Sequence, residues 1–444
     1  MKRLLRKILP PVLFSRYHQI LSCLAAVLYR HPSEEMVVIG VTGTKGKTTV
    51  THLIARMLEE AGHKVGLTST VAFKIGQREW LNPLKMTMPG RFYLQSLLRQ
   101  MVDDGCQYAV IESSSEGVIQ FRHRYIHYDV MVFTNLTPEH LEHHGGFENY
   151  KQAKLEFFKR LAASPHKLIS GKKIPKVIVA NGEDKHAPEF LAFPVDEKIA
   201  YFSSGTIRQY GSDVKNIAAE SVVVNQAGIW LEVEKIRFES SLKGQFNVEN
   251  GLAAIAASRA LGVRLEQCAA ALAAVSLIPG RMEYITEGQD FTVIVDYAHE
   301  PSSLAALYRT VAVWPKRRLI QVFGSAGGIR DKSRRAVIGE MAGKACDIVV
   351  VTNEDAFDED PTAIIKAIAA GAQAVGKVLE KNLFLVTDRR QGIRKALELA
   401  SAGDLVLITG KGTEQKMALF GGKSILWDDR TVTREELRSL LKNR

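Results

Sequence analysis

The chain has 444 residues, 46% of them apolar and 24% charged, proportions that exclude a disordered or largely membrane-embedded protein and imply two or three domains. A formal charge of +11 admits nucleic acid, a membrane surface or anionic metabolites as partners; no aromatic-basic stripe or recognisable motif supports nucleic acid, which is set aside. Cys23, Cys106, Cys268 and Cys346 lie far apart with no CxxC pair, so neither a zinc site nor a disulfide framework is expected, and a reducing cytoplasm fits.

Residues 1–34 form a basic, apolar segment. Lys2, Arg3, Arg6, Lys7, Arg16 and Arg30 fall in its first 30 positions without an acid. The apolar run from Ile8 to Tyr29 is broken by Pro10, Pro11, Arg16, His18 and Gln19, too often to span a bilayer easily. A cleaved leader would export the nucleotide loop that follows. An interfacial anchor helix is therefore expected, touching the membrane surface through residues 1–30 at the inner face, with a plain helix docked on the main domain as the alternative.

Val38 to Thr49, VIGVTGTKGKTT, reads as an apolar strand, a Gly-rich turn and the start of a helix. Gly43 and Gly46 let successive backbone N–H groups point at phosphate oxygens, and the helix beginning near Lys47 adds its positive end. Lys47 then reaches the β/γ-phosphates and Thr48 the Mg²⁺, which implies ATP. The strict pattern wants Gly at position 41, where this chain has Val41, so the loop is a variant.

Beyond it, strands and helices alternate: a strand over 62–70, a helix in FYLQSLLRQMVDDG, strands in CQYAVIESSS and YDVMVFTNL. This predicts a parallel α/β sheet. About 211–243 the pattern turns to short alternating strands, expected as a β-hairpin insert, followed by an Ala-rich helix over 247–261. The central domain is thus set at 35–278. From 279 to 444 five apolar strands (VIVDYAHEP, RLIQVFGSAGG, DIVVVTNED, NLFLVTD, DLVLITGKG) alternate with helices, predicting a second, Rossmann-like α/β domain.

Three clusters exceed what folding needs. Glu112 ends a strand where a carboxylate beside a phosphate loop holds Mg²⁺. Glu139, His140, Glu142, His143 and His144 bunch in a loop at a strand's end, favouring metal or phosphate contacts, with a solvated surface as the alternative. Asp296, His299, Arg330 and Lys332 sit at strand ends of the second domain, expected to close onto a nucleotide held by the first.

The ordered motifs TGTKGKTT, IESSSEG, TNLTPEHLEHHG, YKQAK, GQFNVENGLAA, PGRME, DYAHEP, FGSAGGIRDK and TGKGTE resemble the Mur ligases over about 35–444, most nearly the MurE type of tripeptide synthetase. The resemblance implies a central P-loop ATPase domain and a C-terminal Rossmann-like domain, with an ATP-dependent amide ligase working through an acyl phosphate. It implies Gly43, Thr44, Lys45, Gly46, Lys47, Thr48 and Thr49 as the phosphate loop, with Asn247, Arg281, Asp296 and His299, and Asn250 nearby, at or framing the nucleotide. Thr48, Glu112, His140 and Lys154 match the metal set, with Lys154 carbamylated by CO₂; Lys47, Lys154, His140 and Glu112 are the implied catalytic residues. Thr87, Pro89, Ser114, Arg122, Arg330, Asp355, Gly410 and Glu414 match substrate positions.

The departures are specific. Lys45 stands for the usual Asn, Glu139 for Asp, Glu116 for His and Met88 for a hydroxyl. The segment ahead of the phosphate loop is too short for the family's uridine-gripping first domain, so that domain is expected to be missing, with a lipid-linked or non-UDP donor as an alternative. The acceptor motif reads Glu354-Asp355-Ala356-Phe357 without the Arg of diaminopimelate-adding members, which favours a distal ammonium, as in lysine or ornithine. A cell-wall precursor and an amino acid are the implied partners. A folate-type ligase and a non-catalytic ATP-binding module are the rival readings; PGRME, DYAHEP and TGKGTE argue against the first, and Lys47, Glu112, His140 and Lys154 together against the second.

Overall fold

The computed structural model describes residues 11–139, 144–328 and 330–442, in two compact units. The first runs through Val224 and takes Gly228–Ser241 and Gln245–Val275; the second comprises Asn225–Ala227, Leu242–Gly244 and the chain from Ser276 onward.

Unit one is built on a nine-stranded sheet. Its strands are β1 (Val37–Thr42), β2 (Val65–Thr68), β3 (Ala72–Ile75), β4 (Arg78–Leu81), β5 (Tyr108–Glu112) and β6 (Val130–Phe133), then, after a short β7 (Leu168–Ile169) and β8 (Lys172–Lys173) hairpin, β9 (Val177–Asn181), β10 (Glu197–Phe202) and β11 (Val214–Ala218). The spatial order is β11-β10-β9-β6-β1-β5-β2-β3-β4, parallel throughout except for the antiparallel β3 and β4 edge. β1 is buried at every position, as a central parallel strand covered on both faces must be, and so reads as a continuous apolar run.

Helices α1 (Pro11–Leu28), α2 (Lys47–Glu60), α3 (Arg91–Asp103), α4 (Ser115–Ile119), α5 (Phe147–Ala163) and α6 (Ala187–Leu191) precede α7 (Phe246–Ala260) and α8 (Leu265–Ala274). α2 buries Val50, Leu53, Ile54, Met57 and Leu58 at helical spacing, each fully buried large side chain contributing about 1.5–3 kcal/mol. α3 buries Leu94, Leu97, Leu98 and Met101 in the same way. α7 is buried around its whole circumference from Asn247 to Ser258, Glu249 excepted, which explains its Ala-rich composition: small side chains let it pack on every side.

The expected insert over 211–243 differs from what forms. Val214–Ala218 pairs in parallel with β10 at the edge of the main sheet. The excursion begins only at β12 (Ser221–Val224), which joins β13 (Ile229–Val233) and β14 (Ile236–Ser240) in a separate three-stranded antiparallel sheet. β13 alternates buried Ile229, Leu231 and Val233 with half-buried Trp230 and Glu232, the period of a one-sided strand.

Residues 11–28 do form a helix. α1 docks on α3 through Arg91, which donates to His18 Nδ1 (2.6 Å), and on the turn after α4 through Ser22, whose Oγ lies 2.8 Å from the Phe121 carbonyl and 2.9 Å from that of His18 in its own helix. Among the described residues no helix is long and apolar enough to cross a membrane.

Unit two carries a six-stranded sheet in the order β15-β16-β20-β17-β18-β19, formed by β15 (Glu283–Tyr284), β16 (Thr292–Asp296), β17 (Leu319–Phe323), β18 (Ile348–Thr352), β19 (Leu383–Val386) and β20 (Leu405–Thr409). The five apolar strands expected from the sequence are its parallel members, and only β15 runs antiparallel. α9 (Pro301–Ala312), α10 (Arg334–Ala345), α11 (Pro361–Ala374), α12 (Arg389–Leu399), a β21 (Lys416–Ala418) and β22 (Ser424–Leu426) hairpin, and α13 (Asp429–Lys442) complete it. α10 and α11 approach so closely that a Cβ on Gly339 would lie 1.9 Å from the Ile368 carbonyl oxygen; any side chain there would separate the helices.

Candidate active site

The phosphate-loop residues connect β1 to α2, as a strand–turn–helix must for the loop to face the sheet's C-terminal edge. Gly46 is the N-cap of α2 at φ 82°, and a Cβ there would come within 2.2 Å of Asn250 Oδ1. Glycine is required both by the backbone and by the neighbour. Asn250 donates in turn to Asn247 Oδ1 (2.8 Å), so both asparagines of α7 stand behind the loop.

The loop is braced by the segment after β6. Thr44 N donates to the Asn135 carbonyl (2.8 Å), Lys45 N to Asn135 Oδ1 (2.8 Å), and Thr134 Oγ1 to the Lys45 carbonyl (2.6 Å). Thr44 Oγ1 also sits 3.2 Å from the Tyr150 hydroxyl. Lys47 Nζ donates to the carbonyls of Gly43 (3.0 Å) and Thr44 (2.8 Å), and Lys154 Nζ, from α5, to the same Gly43 carbonyl (2.7 Å). Thr49 is buried in the first turn of α2.

Glu112, at the end of β5 and 2% exposed, gathers three donors: Thr48 Oγ1 (3.0 Å), Thr70 N (2.7 Å) and Thr70 Oγ1 (2.9 Å). Thr70 Oγ1 is also 2.9 Å from Thr87 Oγ1, linking the carboxylate to the segment that carries Thr87 and buried Pro89. A carboxylate oxygen beside a hydroxyl is the donor set a hard divalent cation takes.

Lys154 is 1% exposed and its ammonium is held well below the usual lysine range, first by burial and then by the Lys47 charge. Its Nζ lies 4.4 Å from the centre of the Tyr150 ring. Burial and a neighbouring cation both disfavour the charged form of that amine.

Ser114 caps α4 by accepting from Gly117 N (3.3 Å). Arg122 donates to the Met88 carbonyl and to Gln120 Oε1 (2.6 Å), and burial lowers its pKa. His140, with Glu142 and His143, lies outside the described residues. His144 is buried and meets the Tyr150 ring edge-on at 5.1 Å. Glu139 is 2.7 Å from Lys45 Nζ: two of the four departures from the family pattern form one ion pair.

In unit two the sequence-selected residues gather around Tyr297 and Lys411. Asp296 accepts from Met282 N (2.8 Å) and Ala298 N (2.7 Å). The Arg281 guanidinium stands 4.4 Å from the Tyr297 ring centre, His299 Nδ1 is 2.8 Å from the Tyr297 carbonyl, and the Tyr297 hydroxyl donates to Glu414 Oε1 (3.1 Å). Arg330 adds its charge beside the same tyrosine. Lys411, fully buried, pairs with Asp355 (3.0 Å) and with Glu414. A Cβ on Gly410 would meet Glu354 Oε2 at 2.5 Å. Burial drives the Glu354 carboxyl up to about 7, against the opposing pull of Arg389.

Thr70, Asn135, Tyr150 and Lys411 join these residues without having been among the sequence-predicted candidates. Thr70 has a signal in the sequence, a hydroxyl run just past the end of a parallel strand; Lys411 stands inside the TGKGTE motif. The ammonium of Lys411 also alters the acceptor argument, since Asp355 and Glu414 already share a cation supplied by the chain.

Comparison with known proteins gives the family. Residues 41–258 match the Mur ligase middle domain and residues 280–412 the Mur ligase glutamate ligase domain. A UDP-N-acetylmuramyl-tripeptide synthetase of Roseiflexus sp. (strain RS-1) is 41% identical over 430 residues, 95% of this chain and 82% of the relative. A UDP-N-acetylmuramoyl-L-alanyl-D-glutamate–2,6-diaminopimelate ligase of Geobacillus kaustophilus (strain HTA426) is 38% identical over 97% of this chain and 84% of its own length. A solved structure of a ligase of that second name aligns at TM-score 0.58 and 28% identity, covering 91% of this chain and 79% of that one. A Mycobacterium tuberculosis folylpolyglutamate synthase with ADP, TM-score 0.64 at 17% identity over 100% of this chain and 97% of that one, shares the fold. With both domain models matched and its own phosphate loop assembled, the chain belongs to the Mur ligase family of ATP-dependent, ADP-forming amide ligases.

Proposed function

We propose that this ligase joins an amino acid to the free carboxylate of a UDP-MurNAc-dipeptide-like precursor, the MurE-type step of peptidoglycan synthesis. The single observation that carries the reading is the convergence of Lys47, Thr48, Glu112 and Lys154 on the Gly43–Thr49 loop. In the reaction a carboxylate oxygen attacks the γ-phosphorus of ATP, the bond to ADP breaks, and an acyl phosphate forms. The amine nitrogen then attacks the acyl carbon, the carbon–oxygen bond to phosphate breaks, and the nitrogen releases its proton.

Both steps concentrate negative charge, so oriented cations and N–H groups supply the catalysis. Lys47 and the first turn of α2 bind the phosphates. Mg²⁺, which supplies charge neutralisation when bound, would be held by Thr48 and Glu112, with His140 completing the set. Lys154, whose charged form burial disfavours, would add to CO₂ through its nitrogen, forming a carbamate and releasing a proton, which places an oxygen ligand where an ammonium would repel the metal. Thr87, Pro89, Ser114 and Arg122 would meet the donor.

For the acceptor we assign a diamino acid with a distal ammonium. The support is that no arginine stands at 354–357 to take a distal carboxylate; Asp355 and Glu414, which flank the position, already share Lys411. The test is phosphate release and product mass with UDP-MurNAc-L-Ala-D-Glu paired with lysine, ornithine or diaminopimelate. A ligated lysine or ornithine product is expected. Product with diaminopimelate alone would overturn the acceptor assignment, and no product with any pair would overturn the donor.

A further inference from the structure

Helix α1 carries its polarity the wrong way round for a helix docked on a protein. The face turned to its own unit holds Ser22, Ala25 and Ala26, all buried, tied down through Ser22 and His18. The opposite face presents Tyr17, Ile20, Leu24, Val27 and Leu28, which are 43, 59, 53, 57 and 65% exposed. On a helical projection these five occupy one stripe about 100° wide. Exposed apolar residues scattered singly are ordinary, but a continuous stripe marks a surface that something covers.

Charge selects the occupant. Exposed Arg16 and Arg30 bracket the stripe, Lys2, Arg3, Arg6 and Lys7 precede it, and the first acid in the sequence is Glu34. Two copies meeting through this face would bring like charges together, whereas an anionic lipid surface offers both a hydrocarbon boundary for the leucines and phosphates for the cations.

We propose that α1 lies in the plane of an anionic bilayer, its Tyr17-Ile20-Leu24-Val27-Leu28 stripe sunk to the headgroup boundary and its arginines on lipid phosphates. This surface is independent of the substrate chemistry above.

The full chain is sedimented with phosphatidylcholine–phosphatidylglycerol vesicles and with phosphatidylcholine vesicles alone, beside Leu24→Gln/Leu28→Gln, a variant at exposed positions away from the nucleotide loop. Expected are pelleting with the anionic vesicles, a drop in partitioning of at least about tenfold in the variant, and a comparable drop when salt rises from ~0.1 to ~1 M. No pelleting with anionic vesicles, or equal pelleting of variant and parent, overturns the proposal. So does a dimer seen by light scattering that the variant dissociates, which would assign the stripe to a second copy.

Discussion

Removing the Thr70 hydroxyl should weaken metal-dependent turnover without unfolding the protein. Thr70→Val keeps the shape and the backbone N–H that reaches Glu112 Oε2 at 2.7 Å, but deletes the donor 2.9 Å from Glu112 Oε1. Glu112 is 2% exposed, so water does not replace that donor freely. A hydrogen bond to a buried charged group is worth about 1.5–3 kcal/mol, or roughly a 10- to 100-fold loss in kcat/KM at limiting Mg²⁺ if the carboxylate's orientation is what that bond sustains. Phosphate release titrated with Mg²⁺ reads the effect as a raised metal requirement. Mn²⁺ binding followed by electron paramagnetic resonance reads it without turnover, and Thr70→Ser should restore both. An unchanged metal dependence in Thr70→Val would refute the reasoning, particularly if its melting temperature fell, since the hydroxyl would then serve packing alone.

The Lys45–Glu139 pair, at 2.7 Å with Lys45 31% exposed, should show a coupling of about 1 kcal/mol in a double-mutant cycle on thermal unfolding with Lys45→Asn and Glu139→Gln; additive single effects would remove the pair as a brace. Lys154→Met should abolish ligation, and the parent enzyme should lose activity in CO₂-depleted buffer and regain it with bicarbonate, with the carbamate visible by ¹³C nuclear magnetic resonance; indifference to CO₂ would count against the modification. His123, 2% exposed and held down to about 3 from 6.5 by burial and then by the Arg160 charge, binds a proton when unfolded but not when folded. Its stabilising share is whole above pH 6.5 and falls by about 1.4 kcal/mol per unit between pH 6.5 and 3; His123→Gln should flatten that part of the acid-denaturation curve. Arg389→Leu leaves buried Asp429 unpaired and should cost about 3–5 kcal/mol by denaturant unfolding, with much of it regained when Asp429→Leu is added.

Local signals made much of this protein legible. The strand–glycine–helix order at 38–60 could form little else, because the apolar run, the positive-φ glycines and the amphipathic period agree at each level. The five parallel strands of the second unit announced themselves as apolar runs for the same reason: strands covered on both faces tolerate no polar alternation. Hairpins were harder. Nothing local separates Val214–Ala218 from the short strands after it, yet it pairs with Glu197–Phe202, a partner chosen across the sheet by no local rule. The β3–β4 hairpin went unread because its exposed positions 78 and 79 mask its period.

The sequence alone determined the chemistry available, a phosphate loop, a strand-end carboxylate and a lysine within a motif, since those residue types at those spacings carry their physics with them. What only the tertiary structure decided is how those groups condition one another. Burial beside Lys47 lowers Lys154, Thr70 holds Glu112 from the turn after β2, a strand two places from the phosphate loop's own, and Lys45 meets Glu139 across 94 positions of sequence. Desolvation and Coulomb interactions depend on distance in space, and distance in space is what a linear chain does not contain until it folds.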